Sequence, residues 1–339
     1  MRALSVTEPW GFDQIRVVDA PDPVPGHGEV LVRMRAVSLN YRDMMMVQGK
    51  YGRTPGAAPD TITPFSDGCG VVEAVGPGVT RVAPGDRVAT MFHQNWIAGP
   101  PSAQKAAAAL GFPLPGAGRE LATFSQEGVS KVPDFLTDQQ VATLPCAALT
   151  AWRAIFADGD LRPGDTVVLQ GTGGVSIFGL QFAHAAGFRT AITSSSDEKL
   201  ARAKALGADQ LINYRDVPEW GKAVRDGTGG FGADMIIEVG GGGTIEQSMR
   251  AIRVGGHIAI VGVVAGQAAA FNPASLIGNS ARLQGVSLGS REMFEAMCRA
   301  IELHCIAPVV DKVFPWTDVG EAFAVMQAGS HFGKIVLQF

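Results

Sequence analysis

The chain has 339 residues, which is enough for about two domains that each bury a core. Apolar residues make up 46% of it and charged residues 18%, a balance that indicates a globular protein and excludes a disordered one. The net charge is −4 and no cluster of lysine or arginine is present, so nothing in the sequence favours binding to nucleic acid or to an anionic membrane.

Membrane spanning and disulfide bonding are also not expected. The most apolar later stretch, residues 254–271, is interrupted by glycines, His257 and Gln267. The four cysteines include no C-x-x-C pair, which argues against a disulfide framework and a cysteine-rich zinc site. We therefore expect a protein of the reducing cytoplasm.

Residues 1–125 show short β patterns separated by glycine and proline turns. Strands are predicted at 29–39, 69–75 and 87–91. This pattern predicts a small antiparallel barrel. Residues 98–118, rich in alanine, glycine and proline, are expected to form an extended surface segment.

From about residue 137 the pattern changes to strands that alternate with helices, which predicts a doubly wound parallel sheet in a Rossmann domain of residues 126–291. The predicted strands are 166–170, 189–193, 210–213, 234–239 and 257–261, and the predicted helices are 175–186, 197–206, 218–226 and 244–253. Helices at 291–303 and 319–328 and a strand at 334–337 have no place in that sheet. We expect residues from about 292 to 339 to complete the first domain.

A glycine-rich turn follows the first strand of the predicted sheet. It reads Gly171, Thr172, Gly173, Gly174, Val175 and Ser176, and a helix follows. Glycines there allow backbone N–H groups to approach a pyrophosphate, which the positive end of the helix also favours. The strand, turn, helix and second strand together predict dinucleotide binding, although a structural glycine turn is the alternative.

The end of the second predicted strand bears on the choice between NAD and NADP. An acidic residue there would bind the ribose hydroxyl and repel a 2′-phosphate, but the chain has Ser194 and Ser195, with Lys199 nearby. Ser196 is also a good helix N-cap, and Asp197 could itself bind the ribose. We predict NADPH in preference to NADH.

The segment order, the glycine-rich turn and the closing sequence from Gly333 to Leu337 resemble the medium-chain dehydrogenase/reductase superfamily. The resemblance covers nearly the whole chain. It implies a GroES-like β barrel completed by carboxy-terminal residues, together with a Rossmann domain. It also implies a homodimer that pairs through an edge strand, for which residues 283–288 are the candidate.

Zinc-dependent members of that superfamily have three protein ligands that this chain largely lacks. The matching positions are Asn40, then Ser66 followed by Asp67, and Cys146. A catalytic zinc needs about three ligands, so no zinc is expected. A metal site assembled from Cys146, Asp67 or His93 is the alternative.

The segment Asn40-Tyr41-Arg42-Asp43, followed by Tyr51, resembles the zinc-independent quinone oxidoreductase branch. The resemblance implies that Asn40 and Tyr41 orient the substrate oxygen, that Tyr51 lines the pocket and that Asp43 supports the loop. A tyrosine can donate from its phenol and stack with a planar substrate. The alternatives are surface tyrosines and an aspartate that only accepts backbone hydrogen bonds.

Further residues are expected to contact the cofactor. Main-chain groups at the ends of the later strands face the crevice, and similar proteins use the remaining positions. These residues are Tyr214, Gly240, Gly262, Val263, Ser290, Arg291 and Lys334. For Arg291 a surface charge at a helix start is the alternative.

The sequence therefore predicts a zinc-independent NADPH-dependent reductase of quinones or other conjugated carbonyl compounds. The nicotinamide supplies the hydride, and the protein holds the reactants and stabilises charge on the acceptor oxygen. Two alternatives remain, an NAD(P)-dependent alcohol dehydrogenase of the same fold and a non-catalytic NADPH-binding protein.

Overall fold

The computed structural model describes residues 1–51, 61–267 and 272–339. Its chain forms two compact units, Met1–Leu149 with Gly289–Phe339, and Thr150–Leu288. The predicted domain limits at 125 and 291 differ from this division, which places residues 126–149 and 289–291 in the first unit. Strand Val129–Lys131 belongs to the first unit because it pairs with strand Arg87–Thr90 there.

The first unit is built mainly on antiparallel strands, and its two carboxy-terminal strands pair with each other in parallel. The strands are β1 (Arg2–Thr7), β2 (Ile15–Asp19), β3 (Glu29–Ser38), β4 (Thr61–Ile62), β5 (Asp67–Val75), β6 (Arg87–Thr90), β7 (Leu121–Ser125) and β8 (Val129–Lys131), with β15 (Val310–Pro315) and β16 (Lys334–Gln338) from the carboxy-terminal part. One sheet has the order β15-β16-β3-β5-β6-β8, with β7 also paired to β3, and a second has the order β2-β1-β4. Because β16 pairs antiparallel with β3, the last strand lies in the sheet of the first unit.

Helices of the first unit are mostly short, and they surround a core that includes Phe65, Phe323 and Ile335. They are α1 (Tyr41–Val47), α2 (Ala103–Ala106), α3 (Asp138–Ala142), α10 (Arg291–Leu303) and α11 (Val319–Gln327); α4 (Leu149–Trp152) lies at the division between the units. Segments Leu144–Ala148 and Arg153–Ala157 are π-helical. The wider π turns continue the helical path before and after α4.

The expectation of an extended surface segment at 98–118 is wrong for its second half. Ala109, Leu110 and Ala117 are buried, and Leu110 belongs to the core of the first unit. The N–H of Leu110 donates to the carbonyl of Phe92 (3.0 Å). Backbone hydrogen bonds between residues far apart in the sequence attach this segment to the rest of the first unit. Its composition alone, which suggests a surface loop, does not reveal them.

The second unit contains a six-stranded, all-parallel sheet. Its strands are β9 (Thr166–Gln170), β10 (Arg189–Ser194), β11 (Gln210–Asn213), β12 (Ala233–Glu238), β13 (Ile252–Ile260) and β14 (Arg282–Gly285), and its helices are α5 (Gly174–Ala185), α6 (Asp197–Ala205), α7 (Trp220–Gly227), α8 (Ile245–Ala251) and α9 (Ala274–Asn279). The order β11-β10-β9-β12-β13-β14 confirms the predicted doubly wound fold. Every predicted strand and helix of this region is present.

Residues 268–271 of the apolar stretch lie outside the described residues. Among the residues that are described, no helix is long and apolar enough to cross a membrane.

Candidate functional site

The turn between β9 and α5 has the geometry of a phosphate-binding cradle. Gly171 has a φ of +69°, a region that favours glycine. A Cβ atom added at Gly171 or Gly173 would have no atom within 4 Å, so both positions face open space. Helix α5 begins at Gly174, so its unpaired N–H groups and positive dipole end lie at the turn. Thr172 and Val175 complete the predicted motif.

Serine at the sixth position of this motif is compatible with close packing of helix and strand. The Ser176 hydroxyl is buried and donates to the carbonyl of Gln170 (2.6 Å). One turn later, a Cβ at Gly179 would lie 2.7 Å from a Leu169 methyl group. Gly179 is therefore the glycine that lets α5 pack tightly on β9.

The order of the sheet places this turn at a switch point. Strands β9 and β12 are neighbours, and the chain runs outward from them in opposite directions. Ligands of doubly wound sheets bind in the crevice at the carboxyl ends of the strands where the order reverses. The glycine-rich turn and the loop after β12 both lie at that edge.

The residues after β10 combine helix capping with exposed polar groups. The Ser196 hydroxyl accepts from the N–H of Lys199 (3.3 Å), so its expected N-cap role is confirmed. The Asp197 carboxylate accepts from the Asn213 amide (2.9 Å), which holds it toward the next strand. Ser194 ends β10 and is buried. No acidic residue ends this strand.

Tyr214, for which a cofactor contact is predicted, lies beside this strand end. Its N–H donates to the carbonyl of Ser194 (3.0 Å), and the residue is 43% exposed. Ser195, which directly follows Ser194 in the sequence, is half-buried. The carboxyl ends of β10 and β11 thus bring Ser194, Ser195 and Tyr214 to one edge of the sheet, where Tyr214 is the exposed member.

The loops after β12 and β13 approach each other closely. Gly241 has a φ of +74°, and the N–H of Val264 donates to the carbonyl of Val239 (3.0 Å). A Cβ at Gly262 would lie 2.9 Å from that same carbonyl oxygen, so only glycine fits there without a shift. Val263 is 41% exposed at this edge.

Two residues that the sequence analysis missed join the glycine-rich turn to the loop after β12. The Gln170 side chain donates to the Glu238 carboxylate (2.7 Å) and to the Ser248 hydroxyl (2.8 Å). The side-chain amide oxygen of Gln170 (Oε1) accepts from the N–H groups of Val239 (3.2 Å) and Gly240 (3.3 Å). The apolar residues of β9 and β12 dominate both patterns, so the sequence analysis did not single out Gln170 and Glu238. The signal that could have identified them is that each is a polar residue at the end of a buried strand.

The first unit contains a buried cluster of charged and polar residues around Lys334. The ammonium group donates to the carbonyl of Leu39 (2.5 Å) and to Oδ1 of Asn40 (2.6 Å). Asp67 is fully buried and accepts from the Ser66 hydroxyl (3.0 Å) and the N–H of Cys146 (3.2 Å). Burial raises the pKa of Asp67, while Lys334 and the Asn40 amide act in the opposite direction.

Asp43 also lies in the interior and caps the start of α1. Its carboxylate accepts from the N–H of Asn40 (2.8 Å). A backbone hydrogen bond of this kind is expected under the alternative in which Asp43 has only a structural role. Burial raises the pKa of Asp43 to about 7; Arg42 opposes that shift and Asp67 adds to it. Asn40 is 8% exposed and Asp43 is not exposed at all, so both hold the segment from within.

The two tyrosines of this segment are the accessible members of the predicted set. Tyr41 and Tyr51 are each 40% exposed. The Arg42 guanidinium lies 4.9 Å from the ring centre of Tyr51 and 4.2 Å from that of Phe92. One face of the Tyr51 ring is therefore covered by Arg42.

Burial and Arg42 together lower the pKa of His93 to about 4, so His93 is neutral at pH 7.

The residues at the positions that match a catalytic zinc site do not fit the ion. Asn40 and Ser66 are weak ligands, and burial together with Asp67 raises the pKa of the Cys146 thiol, which disfavours the thiolate that zinc requires. The ammonium of Lys334 is bound to Asn40, where it would repel a cation. Within the described ranges, no group of three or more His, Cys, Asp or Glu side chains could hold a metal.

Ser290, Arg291 and Lys334 all have partners within the first unit. The Ser290 hydroxyl is buried and caps α10 by accepting from the N–H of Met293 (3.2 Å). Arg291 forms an ion pair with Glu127, so it is not a free surface charge. Their predicted contacts with a cofactor remain predictions.

A cleft of about 500 Å³ lies at the opposite, amino-terminal edge of the parallel sheet. Asp165, Arg189 and Arg253 line it, and each stands near the start of a strand. It is therefore separate from the crevice at the carboxyl ends.

Comparisons with known proteins agree with both units. Residues 26–134 match the family described as the alcohol dehydrogenase GroES-like domain, and residues 174–302 match the zinc-binding dehydrogenase family. A zinc-type alcohol dehydrogenase-like protein of Schizosaccharomyces pombe is 40% identical over 335 residues, which cover 97% of this chain and 96% of the relative. The chain belongs to the medium-chain dehydrogenase/reductase superfamily and is an oxidoreductase of that type.

Other similar proteins have different names and cofactors. The quinone oxidoreductase of Rattus norvegicus is 27% identical, with 99% of this chain and 97% of the relative covered. The crystal structure of an NAD-dependent alcohol dehydrogenase is 33% identical with a TM-score of 0.91. The native structure of a mycobacterial protein complexed with NADPH is 30% identical with a TM-score of 0.84, and each comparison covers 100% of both chains. The expected resemblance and fold are confirmed.

Proposed function

We propose that the protein is a zinc-independent, NADPH-dependent oxidoreductase that transfers hydride to quinones or other conjugated carbonyl compounds. The cluster around Lys334 carries this proposal. Asn40 and Ser66 stand where zinc ligands would be required, and the Lys334 ammonium is hydrogen-bonded to Asn40. A reaction that needs no Lewis acid suits this arrangement, because a conjugated carbonyl accepts hydride without loss of an alcohol proton.

The crevice at the carboxyl ends of the parallel strands fits a dinucleotide, and its open glycine cradle would hold the pyrophosphate. When bound, the reduced nicotinamide supplies the hydride. Serines and a lysine, with no acid at the end of β10, support NADPH over NADH, as does the similar protein complexed with NADPH. We assign Gly171, Thr172, Gly173, Gly174, Val175, Ser194, Ser195, Lys199, Tyr214, Gly240, Gly262 and Val263 to cofactor binding.

In this proposal the exposed tyrosines contact the substrate and the buried residues position them. The phenols of Tyr41 and Tyr51 would donate to the acceptor oxygen as negative charge develops on it. Asn40 and Asp43 hold the start of α1 through the Lys334 and capping hydrogen bonds. A hydroquinone product takes its protons from water, so no buried side chain has to reach the substrate.

The second candidate is an alcohol dehydrogenase. The similarity to an NAD-dependent alcohol dehydrogenase favours it. Alcohol oxidation without zinc needs a base near the substrate, and Asp43, whose pKa is raised to about 7, is fully buried. Because it is buried, Asp43 would act as this base only through a relay of protons between its carboxylate and the substrate.

The test is a comparison of turnover in both directions. Purified protein should oxidise NADPH with a panel of quinones and enals, and it should show much slower reduction of NADP⁺ or NAD⁺ with primary and secondary alcohols. Faster alcohol oxidation than quinone reduction would favour the second candidate. Tight NADPH binding without turnover of either class would favour a non-catalytic binding protein.

We further propose a homodimer that works in the cytoplasm. The four cysteines are free thiols, which suits a reducing compartment. In the described part of the chain, β14 pairs with β13 on one side and with no strand on the other. Pairing with a second copy would cover that edge. Light scattering that shows a monomer at micromolar concentration would contradict the dimer.

A further inference from the structure

Glu238 is a buried carboxylate that is surrounded by hydrogen-bond donors. It ends β12 and has no solvent exposure. One oxygen accepts from the N–H groups of Gly240 (2.8 Å) and Gly241 (2.9 Å) and from the Thr244 hydroxyl, and the other accepts from the Gln170 amide (2.7 Å) and the Ser248 hydroxyl. Five donors on two oxygens match an ionised carboxylate.

In the described part of the chain, no lysine, arginine or histidine forms a hydrogen bond with Glu238. Among the residues that the structure describes, all hydrogen-bond partners of Glu238 are backbone N–H groups, hydroxyls and one amide. Buried charges are normally paired with an opposite charge or a metal. A carboxylate stabilised by dipoles alone leaves its net negative charge to act on whatever binds nearby.

The position of Glu238 in the sheet indicates what binds nearby. The glycine-rich turn and the strand ends of β10 and β11 form the half of the fold that takes the adenosine part of a dinucleotide. Strand β12 opens the other half, which takes the nicotinamide part. Glu238 holds Gly240 and Gly241 in the loop that follows, so its charge lies beneath that half of the crevice.

The nicotinamide ring is neutral when reduced and carries one positive charge when oxidised. We propose that Glu238 is a positioning residue that holds the loop after β12 and stabilises the oxidised nicotinamide relative to the reduced form. This inference rests on the proposed cofactor-dependent function. Stabilisation of the oxidised form makes the bound reduced cofactor a stronger hydride donor, which favours carbonyl reduction.

The experiment measures the dissociation constants of NADP⁺ and NADPH by calorimetry for the wild type and for Glu238→Gln. Because Glu238→Gln removes a negative charge that attracts the oxidised ring and not the neutral reduced ring, the ratio of the NADP⁺ dissociation constant to the NADPH dissociation constant should rise several-fold. The 2′-phosphate is common to both forms, so its contribution cancels in the ratio. The same ratio for NAD⁺ and NADH should change in parallel.

Two control variants separate charge from structure. Glu246→Gln removes an exposed carboxylate on the following helix that is paired with Arg250, and it should leave the ratio unchanged. Thr244→Val removes one donor to Glu238 but retains the charge, so it should change both affinities together. A ratio that moves as much in Thr244→Val as in Glu238→Gln would assign Glu238 a purely structural role.

A second variant covers the case in which Glu238→Gln does not fold. Gln170→Lys would place an ammonium beside the carboxylate and should raise the ratio in the same direction. An unchanged ratio in a folded variant would overturn the inference about Glu238 while wild-type binding of both forms left the proposed function standing. Absence of binding by the wild-type protein would instead overturn the proposed function.

Discussion

Replacement of Lys334 by methionine should destabilise the first unit strongly. Lys334 is 4% exposed, and its ammonium makes two short hydrogen bonds, to Leu39 and Asn40. Its loss leaves the buried Asp67 without its main positive neighbour. Removal of one partner from a buried charged group costs about 3 to 5 kcal/mol. For a unit of about 200 residues, that cost lowers the melting temperature by about 6 to 20 °C.

The assay is thermal unfolding followed by circular dichroism, with two comparison variants. Lys312→Met, at an exposed position of the neighbouring strand β15, should change the stability by less than about 0.5 kcal/mol. The double variant with Lys334→Met and Asp67→Asn should lose less than the sum of the single losses, because it contains no unbalanced Asp67 charge. A Lys334→Met melting temperature equal to that of Lys312→Met would show that Lys334 does not stabilise the first unit.

Three further outcomes are expected. Lys199→Ala should weaken NADPH binding about 10-fold to 150-fold, the equivalent of about 1.5 to 3 kcal/mol for a charge-assisted hydrogen bond, and should leave NADH binding nearly unchanged; equal losses would show that Lys199 does not meet the 2′-phosphate. Tyr51→Phe should lower kcat more than NADPH affinity, and unchanged kinetics would leave Tyr51 a wall residue. Because the folded pKa of Asp43, about 7, lies above its unfolded value, wild-type protein should lose stability as the pH rises from about 4 to 7, by up to about 4 kcal/mol. Urea titrations should show that Asp43→Asn loses this part of the pH dependence, and identical pH profiles would contradict it.

The second unit could be predicted from the sequence because its signals are local. Strand Thr166–Gln170 and the first-unit helix Arg291–Leu303 have the predicted bounds. Apolar runs bounded by glycine and an N-cap such as Ser290 define an element without help from the rest of the chain. The glycine-rich turn is local in the same sense.

The polar networks could not be predicted, because they join residues that are far apart in the sequence. Lys334 and Asn40 are separated by 294 positions, and Gln170 and Glu238 by 68. The motif predicts that Asn40 orients the substrate oxygen, which stays a prediction, but it gives no sign of the hydrogen bond from Lys334 to Asn40. Arg42 over the ring of Tyr51 is likewise a tertiary contact that a spacing argument does not reveal.

The proposed reaction is reduction of a conjugated carbonyl compound without zinc. The most direct measurement combines metal analysis of the purified protein with the rate of NADPH oxidation by a quinone before and after treatment with a chelator. We predict far less than one zinc per chain and an unchanged rate, since Asn40 and Ser66 replace two ligands and the Lys334 ammonium is bound to Asn40. One zinc per chain that is lost together with the activity would contradict it.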